Sequence, residues 1–416
     1  MLSSKLKKDS GRNQFAVKRP LSSFQPLALL LATAVSLPAS AALSDTIHPF
    51  VTLGYSYDDN LFRLPDEVAG FAGSRSDTMR QTAVGVSFER PLGRQILTGQ
   101  AKLSNVKFSH YDQLDYNAKD FLAALEWHLG NHLSGNLGGK YVQTLTPFTD
   151  YHSNERNLRT QRREYVDGAW RFHPSWQLRG GFAQEKFSYD LPAQRYNDRS
   201  EDVANMGIDY LAPSGSRVGL QLRRLKGAYA NLRSVGGVLV DDGYSQDELK
   251  ADVNWRFSGT TQLQMLVGWA RREHRFFTGR DASGANGRGS VEWRPLGKLA
   301  FTVAGWREFA AVESNLVSNS FNKGGSVAAA WDISAKLRAD ASLRRETRDF
   351  AKINGIAFSG SSEDSIRSAN LGLTYAPLPT VQLNAGLFRE SRSGSPLVGT
   401  GNYSANGGSF NVSAQF

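Results

Sequence analysis

The stretch LKADVNWRF (residues 249–257) alternates apolar and polar side chains along its whole length. Because successive side chains of a β-strand point to opposite faces, this period of two predicts a strand with one apolar and one polar face. The polar face carries a lysine, an aspartate, an asparagine and an arginine. That face is too strongly charged for the interior of a soluble protein, so we expect the strand to separate water from an apolar medium.

The pattern recurs with a period of about forty residues. In each period a strand ends in an aromatic residue followed closely by a short turn, and these aromatics are spaced by 38 to 45 residues. They are Phe88, Trp127, Trp170, Tyr210, Trp255, Trp293, Trp331 and Tyr375. Each period contains two strands, one short turn and one long polar loop, which indicates a repeated hairpin and not the four-stranded blade of a β-propeller.

Nine such hairpins predict an all-β fold, a closed transmembrane antiparallel barrel of eighteen strands, with sixteen as the alternative. The Gly-rich segments 281–293 and 402–409 have the weakest strand pattern. Closure removes the free edges that an open sheet of this size would expose. We expect the turn-proximal aromatics to form a girdle at the periplasmic membrane surface.

The first 41 residues form a leader with six basic residues and one acidic residue, about half of the formal charge of +10. It combines a basic stretch, the apolar run LALLLATAVSL (27–37) and the small residues ASA (39–41), the three parts of a secretory signal. We therefore expect cleavage of 1–41 and a single exported barrel over 42–416. The remaining charge is modest, so a nucleic-acid partner is not expected.

Two absences narrow the class of protein. The chain has no cysteine, which excludes disulfides and thiolate metal sites. Beyond the leader, no apolar stretch approaches the length of about 20 residues that a membrane helix needs. The outer membrane of a Gram-negative bacterium is thus the predicted location, with outer-membrane lipid and lipopolysaccharide as surroundings.

The last seven residues alternate strictly and end on an aromatic side chain. Phe410, Val412 and Phe416 fall on one face of this predicted strand. The pattern resembles the terminal signal that the barrel-assembly machinery of bacteria recognises, and it implies that machinery as a partner.

Charged residues with inward parity form the candidate lining of the lumen. The basic ones are Lys102, Lys140, Arg179, Arg217, Arg223, Arg338 and Arg344, and the acidic ones include Glu126, Asp167, Asp209, Asp252 and Asp332. Because neighbouring strands run in opposite directions, many of these charges can pair across the wall. A salt-bridged wall and a track for a polymer are equally compatible with this pattern.

A second basic set lies toward the long loops. It comprises Lys186, Arg223, Arg224, Lys226, Arg271, Arg272, Arg275, Arg344, Arg345, Arg348, Arg389 and Arg392. For members that face outward we expect contact with lipopolysaccharide phosphates, which arginine is well shaped to bind. Members that face inward would attract an anionic polymer.

An enzymatic function is not predicted. The seven histidines are scattered, and none combines with a serine or an acid at a spacing typical of a hydrolase. No set of histidines or carboxylates has metal-ligand spacing. We therefore expect no catalytic residues, no metal and no cofactor.

The segment DDNLFRLP (residues 58–65) directly follows the first predicted strand. With Leu114-Asp115-Tyr116 and strands that end in Trp before short turns, it resembles the EpsL-type outer-membrane β-barrels of exosortase-associated extracellular polysaccharide operons. The matching positions are Asp58, Asp59, Asn60, Phe62 and Arg63. One hypothesis is that this motif folds over the outer end of the first strand and narrows the pore, with Arg63 pairing to a luminal carboxylate.

This resemblance implies a non-catalytic conduit that helps to assemble or export an extracellular polysaccharide, together with other components of an export apparatus. Two alternatives share every argument about the fold. One is a general or anion-selective porin for small solutes, and the other is a scaffold or adhesin plugged by its own loops.

Overall fold

Long strands make up most of the chain that the computed structural model describes, which comprises residues 46–235, 237–276, 278–312, 319–350, 362–395 and 400–416. The predicted leader lies outside these residues. The strands are β1 (Ile47–Asp58), β2 (Asp77–Leu92), β3 (Gln95–Phe108), β4 (Tyr116–Leu129), β5 (Leu133–Leu145), β6 (Leu158–His173), β7 (Trp176–Tyr189), β8 (Arg199–Leu211), β9 (Arg217–Tyr229), β10 (Arg233–Val235), β11 (Val238–Val240), β12 (Tyr244–Arg256), β13 (Thr261–His274), β14 (Ala282–Leu296), β15 (Leu299–Ala311), β16 (Asn319–Asp332), β17 (Leu337–Phe350), β18 (Glu363–Leu378), β19 (Val381–Ser393) and β20 (Tyr403–Gln415).

Helical structure in the described chain is limited to four short 3₁₀ segments. They are Phe71–Gly73, Asp112–Leu114, Pro192–Asn197 and Thr278–Arg280. Within the same residues, no helix is long and apolar enough to cross a membrane.

The eighteen long strands form one closed antiparallel sheet. Each strand pairs with the next along the chain, and β9 pairs with β12 past the small hairpin of β10 and β11. β1 pairs with both β2 and β20, from Phe50 opposite Gln415 to Asp58 opposite Gly407. The prediction of an eighteen-stranded barrel is confirmed, and the Gly-rich segments lie in β14 and β20.

The two ends of the barrel differ in their connections. Short turns join the strands at one end, such as the two residues between Leu92 and Gln95. Gly93 there has a φ of +68°, which a glycine adopts without steric cost in the first position of such a turn. The long loops at the other end include L1 (59–76), L2 (109–115) and L3 (146–157).

The outer face of the barrel is apolar. Leu103, Leu137, Leu249 and Leu343 are exposed at outward positions of four different strands, while their sequence neighbours point to the lumen. Near the short turns, outward aromatics are also exposed, among them Trp170, Trp176, Tyr210, Trp255, Trp293, Trp331 and Tyr375. An apolar band that ends in an aromatic girdle is typical of a transmembrane barrel.

Candidate functional site

The motif 58–65 forms a tight turn at the loop end of β1. The Asn60 side chain closes it, because its oxygen accepts from the Leu64 amide at 2.9 Å and its amide nitrogen donates to the Leu64 carbonyl at 2.9 Å. The same nitrogen donates to the carbonyl of Ser404 at 2.9 Å, and the Asn60 amide donates to Asp58 at 3.0 Å. Asp59 accepts a hydrogen bond from the Asn406 side chain at 2.9 Å. The turn is therefore tied to β20.

Arg63 has an unusual backbone and a buried side chain. Its φ of 56° lies in the left-handed region, which costs a non-glycine residue about 1–2 kcal/mol. Its guanidinium contacts Asp58 at 2.8 Å and the luminal carboxylate of Glu390 on β19 at 3.2 Å. Burial alone would lower the pKa of Arg63, but Asp58 and Glu390 raise it. The conformation is thus held by two ion pairs.

Phe62 is the centre of an apolar cluster inside the loop end of the barrel. Its side chain is 0% exposed, and its ring makes edge contacts with Phe71, Tyr111 and Phe148. The buried members of the cluster are Leu61, Phe62, Leu64, Val106, Phe108, Tyr111 and Leu114. L1, L2 and the barrel wall all contribute to this core, and L3 supplies Phe148. We call this packed unit of L1, L2 and L3 the mouth plug.

Arg75 fixes the course of L1 from within. Its guanidinium donates to the carbonyl oxygens of Leu64, Pro65, Asp66 and Val68, at distances of 2.7 to 3.2 Å. Backbone carbonyls of a loop need such partners or water where no strand supplies them. One side chain therefore satisfies four backbone groups of the loop.

L3 reaches across the mouth to a distant part of the wall. Asp150 contacts Arg348 on β17 at 2.8 Å and Arg392 on β19 at 3.2 Å. On the shorter route around the sheet, five strands separate β5, where L3 begins, from β19. Both arginines also bind Asp364 on β18, whose side chain is 0% exposed. We call these four residues the mouth network.

The nearby arginines influence the pKa values of two residues in L3, Asp150 and His152. Burial alone would raise the pKa of Asp150, but Arg348 and Arg392 hold it well below its usual range. His152, two residues on, donates a hydrogen bond from Nδ1 to the Phe62 carbonyl at 2.7 Å. Burial lowers the pKa of His152, and the nearby Arg392 lowers it further. At neutral pH, Asp150 is ionised and His152 is uncharged.

A second cluster lies on the inner wall of β7, β8, β9 and β12. Arg179 and Arg217 each contact both Asp209 and Asp252, with distances from 2.5 to 3.3 Å. Asp209 is 0% exposed, whereas Asp252 is partly accessible. The four residues come from four consecutive strands of the barrel wall, and we call this quartet the wall network.

Further predicted luminal charges are also paired. Arg223 contacts Glu248 at 3.0 Å, and Arg344 contacts Glu346 at 2.6 Å. Arg338 lies 3.8 Å from Asp332 beside a short turn, where both are about half exposed. Such exposed pairs contribute little to stability.

Four predicted luminal residues differ from this pattern. Asp167 accepts hydrogen bonds from Asn136, and Glu126 lies 3.7 Å from His128. Lys102 and Lys140, at inward positions of β3 and β5, form no ion pair with any residue that the structure describes. These two lysines are the uncompensated bases among the predicted lining.

The carboxylates that hold the mouth plug were not predicted. Glu390 and Asp364 have inward parity near the loop ends of their strands, so the period of two could have identified them. Asp150 lies in an irregular loop, where no periodicity applies. The predicted terminal signal forms the end of β20, with Phe410 and Phe416 exposed on the outer face.

No group of three or more histidine, aspartate and glutamate side chains is arranged to hold a metal ion within the described part of the chain. The polar clusters consist of arginines already paired with carboxylates. The mouth network holds L3 in place, and the wall network lines the lumen.

Residues 243–416 match the family model described as "Putative beta-barrel porin 2". Among solved structures, the chain is similar to OccAB3 of Acinetobacter baumannii, with 12% identity, coverage of 90% of this chain and 100% of that one, and a TM-score of 0.48. It is also similar to OpdK of Pseudomonas aeruginosa, with 14% identity, coverage of 90% and 99%, and a TM-score of 0.48. No curated protein matches the sequence.

The protein is a porin-like outer-membrane β-barrel. Its closed sheet, apolar outer face and aromatic girdle fit the outer membrane of a Gram-negative bacterium, the predicted location. The fold assignment rests on the strand pairing, which closes the sheet between β1 and β20.

Proposed function

We propose that the barrel is a channel for small polar solutes that prefers anions. The observation that carries this proposal is the mouth plug, with L3 held across the opening by Asp150. An extended polysaccharide needs an unobstructed path along the whole barrel. A mouth that is narrowed by a packed core around Phe62 suits small solutes better.

The charges of the lumen support the preference for anions. The wall network neutralises its own arginines, so it contributes little net charge. Lys102 and Lys140 remain, at inward positions of β3 and β5, and Lys140 stands opposite Arg163 in the β5–β6 register. Asp120 is opposite Lys102, yet the two form no ion pair. Positive potential in a narrow aqueous passage raises the local concentration of anions.

The export of an extracellular polysaccharide, which the motif resemblance implies, remains the competing proposal. It requires that the mouth plug open, for example on contact with an export apparatus.

Single-channel recording of the chain 42–416 in a planar bilayer tests the proposal. We expect a steady current that the host's exopolysaccharide does not interrupt, with a reversal potential that indicates anion preference. The double variant Lys102→Gln/Lys140→Gln should lose most of this preference. Lys119→Gln, an outward lysine on β4, removes a charge from the other face and serves as the matched control.

Each result has a distinct meaning. Current that the polymer blocks would support export instead. A correctly folded barrel that carries no current would support a plugged scaffold. Anion preference that survives the double variant would show that other groups set the selectivity.

A further inference from the structure

Three arginines lie side by side on the outer, lipid-facing side of β17, β18 and β19. Arg345 stands directly opposite Arg367, and Arg389 stands opposite Ala369, one outward position along β18 from Arg367. All three are exposed. Like charges at opposed positions of neighbouring strands destabilise a sheet unless a counter-charge is present. None of the three has a hydrogen-bond or ion-pair partner among the described residues.

Outward arginines elsewhere on the same rim do have carboxylate partners. Arg271 contacts Glu273 at 2.7 Å, and Arg224 lies 3.6 Å from Asp247. Arg162 pairs with Glu164 on the outer face of β6. The chain therefore neutralises these three outward arginines with its own acids. The counter-charge for the group on β17–β19 must come from outside the protein.

A groove of about 530 Å³ lies beside these arginines. Small outward residues create it, because Gly325 stands opposite Arg345 and Ala369 stands between Leu343 and Arg389. Its apolar side is formed by Val303, Val327 and Leu343, which are exposed. The site thus joins three cations to an apolar channel at the outer edge of the apolar band.

We propose that this surface binds one molecule of lipid A, the phosphorylated glycolipid of the outer leaflet. The arginines contact its phosphate groups, since a guanidinium matches phosphate oxygens in charge and geometry. One acyl chain lies in the groove over Gly325 and Ala369. A free phosphate would use only the cations, whereas a glycolipid uses both parts of the site.

Native mass spectrometry of the full mature chain in detergent, titrated with bisphosphorylated lipid A, tests this proposal. We expect one retained molecule. The triple variant Arg345→Gln/Arg367→Gln/Arg389→Gln should bind roughly a hundredfold more weakly, since each base beside an anionic lipid contributes about fivefold. The matched control, Arg162→Gln/Arg224→Gln/Arg271→Gln, removes outward arginines that already have partners and should bind as the wild type does.

A second variant tests the groove, and its result does not depend on whether the triple arginine variant folds. Ala369→Leu places a larger apolar side chain on the lipid-facing side and keeps all three cations. It should weaken lipid A binding several-fold, because the acyl chain loses its channel. Inorganic pyrophosphate at equal concentration should not displace lipid A from the wild type.

Several results would overturn the assignment. Equal losses in the triple variant and its control would indicate a general charge effect. Binding of phosphatidylglycerol or of dephosphorylated lipid A as tightly as bisphosphorylated lipid A would exclude a specific phosphate site. Displacement by pyrophosphate would indicate a site for free phosphate. None of these results depends on whether the barrel conducts.

Discussion

The mouth network and the wall network use the same residue types in opposite ways. In the wall network, Arg179 and Arg217 bind carboxylates on neighbouring strands whose positions the sheet already fixes. In the mouth network, Asp150 joins a loop to strands on a distant part of the barrel. The first neutralises the lumen without holding separate elements together. The second holds a loop in place, so its loss should change the pore itself.

The largest effect is expected from Asp150→Ala. This change removes the L3 carboxylate that Arg348 and Arg392 share, and breaking one partner of a buried ion pair costs about 3–5 kcal/mol. L3 should detach from the wall, which would raise the conductance and let trypsin cleave faster after Arg156, an exposed residue of L3. Unchanged conductance and cleavage would show that Asp150 does not restrain L3.

Asp252→Ala in the wall network is the control for that experiment. Asp252 also binds two arginines, but it is partly accessible and its partners lie on the fixed sheet. We expect trypsin to cleave L3 in this variant no faster than in the wild type. Equal opening of L3 in both variants would remove the distinction between the two networks.

Phe62→Ala should have the next largest effect. Truncation of a fully buried phenylalanine costs about 3 kcal/mol or more, and here the cavity would lie where L1, L2 and L3 meet. Hydrogen exchange of the L1 amides should quicken. Phe172→Ala, an exposed aromatic near a short turn, should leave that exchange unchanged. Similar exchange in both variants would argue against a core role for Phe62.

The sequence predicts the ion pairs of the wall network far better than those of the mouth network. Parity along each strand and the antiparallel register together bring Arg179, Asp209 and Asp252 to one face, so the period of two is enough to anticipate their pairing. The same rule places Arg348 and Arg392 inside the barrel. It also places Asp364 opposite Arg348, but it does not anticipate Asp150, which comes from a loop.

The motif illustrates a similar limit. Its residue types predict a turn, and Asn60 and Asp58 do form one. That Phe62 becomes the centre of a core depends on L2 and L3, which lie about 50 and 90 residues further along the chain. Contacts between loops depend on their three-dimensional course, which no short-range pattern in the sequence specifies.

A smaller effect is expected for the charge selectivity of the wall. Asp252→Asn removes one partly accessible negative charge and leaves Asp209 with both arginines. The reversal potential should shift toward anions, because the quartet then carries a net positive charge. A shift toward cations would contradict the assignment of this quartet to the lumen.

The smallest effect should come from the titration of His152. Burial lowers its pKa, Arg392 lowers it further, and Asp150 raises it, so the docked loop binds a proton less readily than the free loop. The docking of L3 is therefore undiminished above the ordinary histidine pKa of about 6.5 and weakens as the pH falls below it. Asp150 stays ionised in this window because its own pKa is held well below the usual range. Trypsin cleavage of L3 should rise modestly between pH 7 and about 5 in the wild type. His152→Gln retains a hydrogen-bonding group that does not titrate. Trypsin cleavage of L3 in this variant should be independent of pH. If cleavage rises in the variant as it does in the wild type, the effect belongs to another group.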